Sequence, residues 1–269
     1  MNDGADLAPF AVPPTPDPAG FLRTDPVPRD RRAAARVNRL PLVAHLYEPL
    51  WRGRSAALLT RGHYRTRQER ATLSRWLLPA CDPAGPGGGR ILDVGCGAGF
   101  YLAALHAAAR DDARTDAPAP VLHGIDVSEA FLRRAAARLA REGVPATLAL
   151  ADAERLPYRD ASFDGVAFGG TPNEVRDRPT ALAELARVLR PGGRAFLMAS
   201  VRGAGPTRAL APLLRVGGVD LPTADTLADE VEAAGLTPVR LEHRPPLLVA
   251  TLRRPDAAPD GAPPGGATG

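Results

Sequence analysis

Ile-Leu-Asp-Val-Gly-Cys-Gly-Ala-Gly, at residues 91–99, is the stretch that decides the fold. A run of apolar residues ends at Asp93, three glycines follow at every second position, and residues 100–105 have the apolar spacing of a helix. Glycine adopts positive φ without strain and lets a ligand come close to the main chain. The pattern therefore predicts a buried strand, a tight turn and a helix start. Ligands bind at such strand-to-helix crevices in parallel sheets, so we expect a binding site here.

The length of the chain fits one α/β domain with extensions, since 269 residues are enough to bury a sizeable core. No apolar run has the length of a membrane span, and the first residues lack the layout of a signal peptide. We therefore expect a cytoplasmic protein. The two cysteines, Cys81 and Cys96, suggest no disulfide framework, and the five histidines lack ligand-like spacing, so we expect no metal.

All 34 basic side chains are arginine, which excludes chemistry that needs a Schiff-base or P-loop lysine. The net charge of +4 is uneven, because residues 31–80 are rich in arginine and contain Glu48 and Glu69 as their acids. Such a segment can contact phosphates or make a peripheral contact with an anionic membrane surface. A solvated helical face is the alternative. We expect no obligate protein partner.

The two ends of the chain predict disordered tails. Residues 1–30 are rich in proline and poor in large apolar side chains, and residues 254–269 have the same character. Such segments bury too little surface to offset the entropy lost on ordering.

Between the tails we predict two units. Residues 31–82 form a helical N-terminal extension that can serve as a lid, with Leu73, Trp76 and Leu77 on one apolar face. Residues 90–253 form the main domain.

Two cofactor classes compete for the glycine loop. The dinucleotide fingerprint Gly-x-Gly-x-x-Gly needs its third glycine at the position of Phe100. The pattern Asp-x-Gly-x-Gly-x-Gly instead resembles motif I of the class I S-adenosylmethionine-dependent methyltransferases. In that family the loop holds the amino-acid end of the cofactor, which carries an ammonium group. A carboxylate at Asp93 suits this cation and would repel a diphosphate.

The next two strands each end in an acid. Residues 121–126 end at Asp126, whose carboxylate can accept both hydroxyl hydrogens of a ribose in either cofactor class. Residues 146–153 end in Asp152 and Ala153, and the stretch to Asp164 resembles the family's Asp-Ala-x-x-Leu-Pro-Phe-x-Asp-x-Ser-Phe-Asp. The resemblance implies that Asp152 accepts from the adenine amino group and that the Ala153 amide donates to a ring nitrogen. Dehydrogenases have no comparable stretch.

The remaining pattern completes the fold class. Residues 163–170 predict a central apolar strand. Leu-Arg-Pro-Gly-Gly, at 189–193, resembles the family's junction between a helix and the fifth strand. Residues 201–222 predict a small acceptor lid, and residues 236–252 a closing hairpin. The motif order is similar to the methyltransferase type 11 group, which includes small-molecule and quinone methyltransferases. It implies an α/β fold with a Rossmann-like, seven-stranded, mostly parallel sheet and a closing antiparallel hairpin.

The resemblance implies S-adenosyl-L-methionine as the cofactor and a set of residues around it. Tyr47 is included because related enzymes carry a tyrosine near the cofactor on a helix before motif I; simple packing beside Trp51 is the alternative. The predicted cofactor-binding residues are Asp93, Gly95, Cys96, Gly97, Gly99, Asp126, Val127, Asp152, Ala153, Gly169 and Tyr47.

The chemistry predicted is in-line methyl transfer, in which the protein aligns two partners and excludes water. An oxygen or carbon acceptor also needs a base, and the candidates are Glu174, His45 and His63; each has a structural role as its alternative. The acceptor and its attacking atom cannot be read from the sequence. The Asn/Asp-Pro-Pro-Tyr signature of nucleic-acid and protein N-methylation is absent, which favours a small organic molecule.

Three other functions stay open. An RNA methyltransferase would contact phosphates through the arginine-rich segment. A non-catalytic protein would bind the cofactor without transferring its methyl group. A dehydrogenase has support from the glycine loop and from nothing else.

Overall fold

The computed structural model describes residues 5–24, 66–82, 84–85, 88–111, 119–203, 206–216 and 218–256. The elements in chain order are β1 Thr15–Pro16, β2 Leu22–Arg23, α1 Thr66–Leu77, β3 Arg90–Val94, α2 Phe100–Asp111, β4 Val121–Asp126, α3 Glu129–Glu142, β5 Thr147–Leu150, β6 Phe163–Gly169, α4 Arg178–Val188, β7 Leu189–Ser200, α5 Pro206–Val216, α6 Ala224–Ala233, β8 Thr237–Arg244 and β9 Leu247–Arg253.

The strands form one sheet in the order β1-β2-β5-β4-β3-β6-β7-β9-β8. Strands β2 to β7 are parallel, β1 pairs antiparallel with β2, and β9 and β8 close the other side as an antiparallel hairpin. Strands β4 and β5 lie on one side of β3, whereas β6 and β7 lie on its other side. The switch between β3 and β6 opens a crevice at their carboxyl ends. The predicted Rossmann-like sheet with its hairpin is confirmed in β3 to β9.

The sheet is buried on both faces, which explains why its central strands are apolar throughout. All seven residues of β6 are buried. Leu92 and Val166 belong to the core cluster on one face, whereas Ile91 and Ala167 belong to the cluster on the other. Successive side chains of a strand point to opposite faces, so a strand covered on both sides loses its polar alternation.

The N-terminal tail requires a correction. Residues 5–24 are not disordered: β2 extends the parallel sheet at β5, and Phe10 and Phe21 are buried at 2% and 0% exposure. The Ala11 amide donates to the Pro157 carbonyl at 2.9 Å. The β5 edge would otherwise present unpaired backbone groups. The apolar area of Phe10 and Phe21 holds residues 5–24, which we call the N-terminal strap, in place.

The strap is fastened by Asp6 at the amino-terminal edge of the sheet. Its Oδ2 accepts from Arg90 Nε at 2.5 Å and from His123 Nε2 at 3.2 Å. Burial lowers the pKa of His123, so the imidazole is neutral and donates its Nε2 hydrogen. The hydrogen bonds from His123 and Arg90 hold the pKa of Asp6 well below its usual range.

Other boundaries differ from the sequence prediction in detail. The segment 201–222 contains the eleven-residue helix α5 rather than a short glycine-rich connection. Helix α4 ends at Val188, so Leu-Arg-Pro-Gly-Gly lies within an irregular part of β7. Residues 254–256 continue past β9, and the Arg254 amide donates to the Gly193 carbonyl at 2.9 Å.

Helix α1 confirms the apolar face of the N-terminal extension, because Leu73 and Leu77 are fully buried. The predicted helices before Thr66 lie outside the described residues. None of the helices that the structure describes combines the length and the hydropathy needed to cross a bilayer.

Replacing Asp6 with alanine should lower the free energy of unfolding by about 1–3 kcal/mol, because two hydrogen bonds are lost and a buried imidazole N–H is left unpaired. The pKa of Asp6 is depressed in the folded state, so its contribution is present above the ordinary pKa and lost as pH falls. The difference from wild type should therefore shrink below about pH 4. Denaturant unfolding at several pH values measures both effects. Val12→Ala, in the same strap at 64% exposure, is the control; equal losses in both variants would contradict the role of Asp6.

Candidate functional site

The glycine loop has the backbone that the sequence predicts. Gly95, Gly97 and Gly99 have φ values of +72°, +53° and +78°. A Cβ on Gly95 would lie 2.0 Å from the Oγ1 of Thr171, so this position also requires the absence of a side chain. Positive φ and close approach together explain why glycine stands here.

The end of β4 holds this loop. The Gly97 amide donates to Asp126 Oδ2 at 2.9 Å, and the Ser128 amide donates to Oδ1 at 2.8 Å. The Cys96 amide donates to the Ile125 carbonyl at 2.8 Å. Both oxygens of the Asp126 carboxylate therefore take part in holding the turn after β3.

Three acids stand at the carboxyl ends of three adjacent parallel strands. Asp93 is the next-to-last residue of β3, is buried at 2% exposure and lies opposite Gly124 of β4. Asp126 ends β4, and Asp152 follows β5, where its Oδ1 accepts from the Glu154 amide at 3.0 Å. Ala153 is buried beside it at 6% exposure. The structure thus brings together the predicted acidic residues, with Val127 at the rim.

The loop after β5 is held by Arg187, which the sequence analysis missed. Its guanidinium donates to the carbonyl of Tyr158 at 2.7 Å and to that of Leu156 at 3.1 Å. Glu184 accepts from the same guanidinium and from the Leu156 amide. Arg187 is visible in the sequence as an arginine shortly before Leu-Arg-Pro-Gly-Gly. No local pattern, however, shows that its side chain reaches Leu156 and Tyr158.

The crevice is closed on its other side by the loop that follows β6. Gly169 is the last residue of the strand, and Thr171–Asn173 form a single 3₁₀ turn. Thr171 Oγ1 donates to the Gly95 carbonyl at 3.4 Å, which joins this loop to the glycine loop. Glu174 follows, with its amide donating to the Thr171 carbonyl at 2.8 Å.

Asn173 is a second residue that the sequence analysis missed. Its Nδ2 donates to the carbonyls of Ser200 and Asp220 at 2.8 and 2.7 Å, and its Oδ1 accepts from the Ser200 amide at 2.7 Å. The side chain is 5% exposed. It ties the loop after β6 to the end of β7 and to the segment that follows α5.

Tyr101 and Glu69 form a third unpredicted feature. The Tyr101 hydroxyl donates to Oε1 of Glu69, which lies on α1 and is 3% exposed. A Cβ on Gly169 would lie 2.2 Å from the Tyr101 hydroxyl oxygen. Gly169 therefore makes room for a tyrosine at the switch between β3 and β6.

Three of the residues that the sequence analysis assigns to the site lie outside the described residues. They are Tyr47, His45 and His63. Cys96 is buried at 3% exposure, and burial raises its pKa far above the usual range, so its thiol is a poor nucleophile. The described residues contain no group of three or more His, Cys, Asp or Glu side chains that could hold a metal ion.

The sheet order, the glycine loop and the acids at successive strand ends agree with the Rossmann-like methyltransferase fold that the sequence analysis predicts. Residues 92–197 match the sequence model of the family Methyltransf_11, described as a methyltransferase domain. The resemblance to this group is confirmed.

Known relatives match this central part. The ubiquinone/menaquinone biosynthesis C-methyltransferase UbiE of Desulfotalea psychrophila is 36% identical over 121 residues, which are 45% of this chain and 45% of the relative. The demethylmenaquinone methyltransferase of Symbiobacterium thermophilum is 41% identical over 111 residues. That match covers 40% of this chain and 41% of the relative. The chain thus spans less than half the length of these relatives.

A solved structure resembles a larger share of the chain. The 1,6-didemethyltoxoflavin-N1-methyltransferase of Burkholderia thailandensis, solved with its substrate and S-adenosylhomocysteine, has a TM-score of 0.58 at 21% identity. The match covers 86% of this chain and 94% of that one. At this identity the likeness concerns the fold alone.

Replacing Asn173 with alanine should lower the free energy of unfolding by about 1–3 kcal/mol, because partly buried backbone groups of Ser200 and Asp220 lose their side-chain partner. Asn173→Asp should cost at least as much, since it replaces two donors with an oxygen that faces two carbonyls. Denaturant unfolding of both variants checks this. Wild-type stability in the aspartate variant would show that the amide does not hold these segments together.

Proposed function

We propose that this protein is an S-adenosyl-L-methionine-dependent methyltransferase that acts on a small organic molecule. The observation that carries the proposal is the row of three acids, Asp93, Asp126 and Asp152, around a glycine loop of positive φ. A row of acids suits a cofactor with an ammonium and a sulfonium group and disfavours one with a diphosphate. The family match supports the same cofactor.

The proposed roles follow from the positions of the residues. Asp126 accepts from the ribose hydroxyls, and Asp152 and the Ala153 amide address the adenine edge. The glycine loop, with Asp93, holds the amino-acid end, and Gly169 lies toward the methyl group. Cys96, Val127 and Tyr47 are proposed to line the same site. When bound, the cofactor supplies an activated methyl group; the protein binds both partners, orients them and excludes water.

We propose a quinone-like or other hydrophobic metabolite as the acceptor. Two observations support this choice: the relatives named for ubiquinone and menaquinone biosynthesis, and the structural neighbour solved with a small heterocyclic substrate. A peripheral membrane contact through the arginine-rich segment 31–80, and a cytoplasmic location, are parts of the proposal.

Calorimetric titration should show binding of S-adenosylhomocysteine and no binding of NAD. Asp126→Ala should weaken the first by about tenfold or more, because two hydrogen bonds to the ribose are lost. Asp256→Ala, which removes a carboxylate at 71% exposure, is the matched control. Binding of NAD instead would refute the cofactor. A methyl-transfer assay with reduced demethylmenaquinone analogues then separates an enzyme from a non-catalytic binding protein.

Glu174 is proposed as the base for an acceptor that must lose a proton. It directly follows the turn Thr171–Asn173, and the side chain of Thr171 is hydrogen-bonded to the glycine loop. Glu174→Gln should abolish methyl transfer and leave cofactor affinity unchanged. Steady-state kinetics together with the same titration measure the two effects. Unchanged turnover would remove Glu174 and leave the base to His45 or His63.

A further inference from the structure

Strand β8 leaves one edge of the sheet open in the part of the chain that the structure describes. It spans Thr237–Arg244 and pairs with β9 but with no other described strand. The opposite edge ends in β1, which has only two residues. A strand that is paired on one side presents backbone N–H and C=O groups outward, where another strand can pair with them. The eight residues of β8 are therefore a candidate contact surface.

The β8 edge also exposes apolar side chains. Val239 and Leu241 are 54% and 47% exposed. Leu241 lies opposite Ala250 of β9, and together with Ala228 and Val231 of helix α6 it lines an apolar groove. Leu241 stays half exposed because it belongs to the outermost described strand. A further strand beside β8 would cover this side of the groove.

Opposite charges stand on either side of Leu241. Successive side chains of a strand alternate between faces, so Arg240 and Glu242 share the face that Leu241 does not occupy. Arg240 Nη2 lies 2.8 Å from Glu242 Oε1, and the Arg240 side chain is 69% exposed. The register with β9 shifts between Pro238 and Arg240, so the regular part of β8 begins with Arg-Leu-Glu.

Two antiparallel copies of this edge complement each other when a two-fold axis passes through Leu241. Leu241 then lies opposite its own copy, and Arg240 lies opposite Glu242 of the second copy, twice. Directly opposite side chains in antiparallel strands are close enough to interact. Moving the axis by one residue puts Arg240 opposite Arg240, or Glu242 opposite Glu242, and such like-charge pairs are destabilising. The charges therefore favour the register centred on Leu241.

We propose that β8 binds a second copy of this chain, whose own β8 extends the sheet across a two-fold axis through Leu241. On one face the two leucines pack together beside the α6 groove. On the other face two Arg240–Glu242 pairs form between the copies. The regular contact is short, so the buried area falls below the roughly 1,600 Å² of a standard interface, and the dimer is reversible. The inference goes beyond the proposed function and does not depend on it.

Sedimentation velocity of the full chain, at concentrations from about 5 to 500 µM, tests for this dimer. The wild-type protein should change reversibly from monomer to dimer over this range. Glu242→Arg places arginine opposite arginine, and Arg240→Glu places acid opposite acid. Each substitution should weaken self-association by about tenfold or more, because two attractive pairs become repulsive.

An equimolar mixture of the two variants is the decisive measurement. In the mixed dimer each arginine of the Glu242→Arg chain lies opposite an acid of the Arg240→Glu chain. The mixture should therefore associate as strongly as the wild-type protein, although neither variant does so alone. A role of Arg240 and Glu242 within a single chain would not produce this rescue.

Arg141→Glu is the matched control, because it changes the net charge by the same amount at a side chain of α3 that is 72% exposed. It should leave the dimer unchanged. A thermal melt shows whether each variant is folded. If a charge variant does not fold, Leu241→Asp carries the test, since it places two acids at the axis and should abolish the dimer.

Three results would overturn the inference and leave the proposed function intact. The first is a wild-type protein that stays monomeric over the whole concentration range. The second is a dimer that persists in the Glu242→Arg and Arg240→Glu variants, which would place the contact on another surface. The third is a loss in both variants without rescue in the mixture, which would show that the register centred on Leu241 is wrong.

Discussion

The hydrogen bond from the Gly97 amide to Asp126 is the constraint on which the site depends. The first amides of a helix have no partner within the helix. In the turn before α2, Gly95, Gly97 and Gly99 have positive φ, a conformation that glycine adopts without strain. Asp126 satisfies one of them from the neighbouring strand. The turn after β3 is therefore fixed relative to the end of β4, and the acids of β3, β4 and β5 face one crevice.

The opposite edge of the sheet is held by ion pairs that involve arginine. Asp164, fully buried at the start of β6, accepts from the Arg90 amide at 3.0 Å and from the Arg190 guanidinium. Asp6 adds the N-terminal strap to the same edge through Arg90. The guanidinium forms several directed hydrogen bonds at once, which suits a chain that contains no lysine. The amino-terminal edge thus contributes stability, and the carboxyl-terminal edge is left to bind ligands.

The central sheet and the positions of the glycine loop and of the strand-end acids could be predicted because their signals are local. A glycine loop after an apolar run, and an acid at the end of each strand, are visible within a few residues. The strap of residues 5–24 could not be predicted in this way. Its proline-rich sequence has few apolar residues, and Phe10 and Phe21 become informative once the unpaired edge of β5 is known.

Helix α5 and Asn173 escaped prediction for related reasons. The segment 201–222 contains several glycines, and Pro212 lies inside the helix, so intrinsic propensity argues against the structure that forms. Asn173 is a single amide whose partners are main-chain groups of distant segments. Every residue has a main-chain carbonyl, so the sequence does not show which carbonyls the side chain of Asn173 will bind.

Fold and chemistry have to be argued from different observations. The [4+2]-cyclase SpnF has a TM-score of 0.63 with this chain at 19% identity, so the same architecture occurs in a protein named for a different reaction. The strand-end acids Asp93, Asp126 and Asp152 all lie within the range 92–197 that the family model matches. Helix α5 lies outside that range, as does the N-terminal extension. The glycine loop and the strand-end acids are therefore the part of the fold whose chemistry the family match supports, because connecting segments vary more than the elements they join.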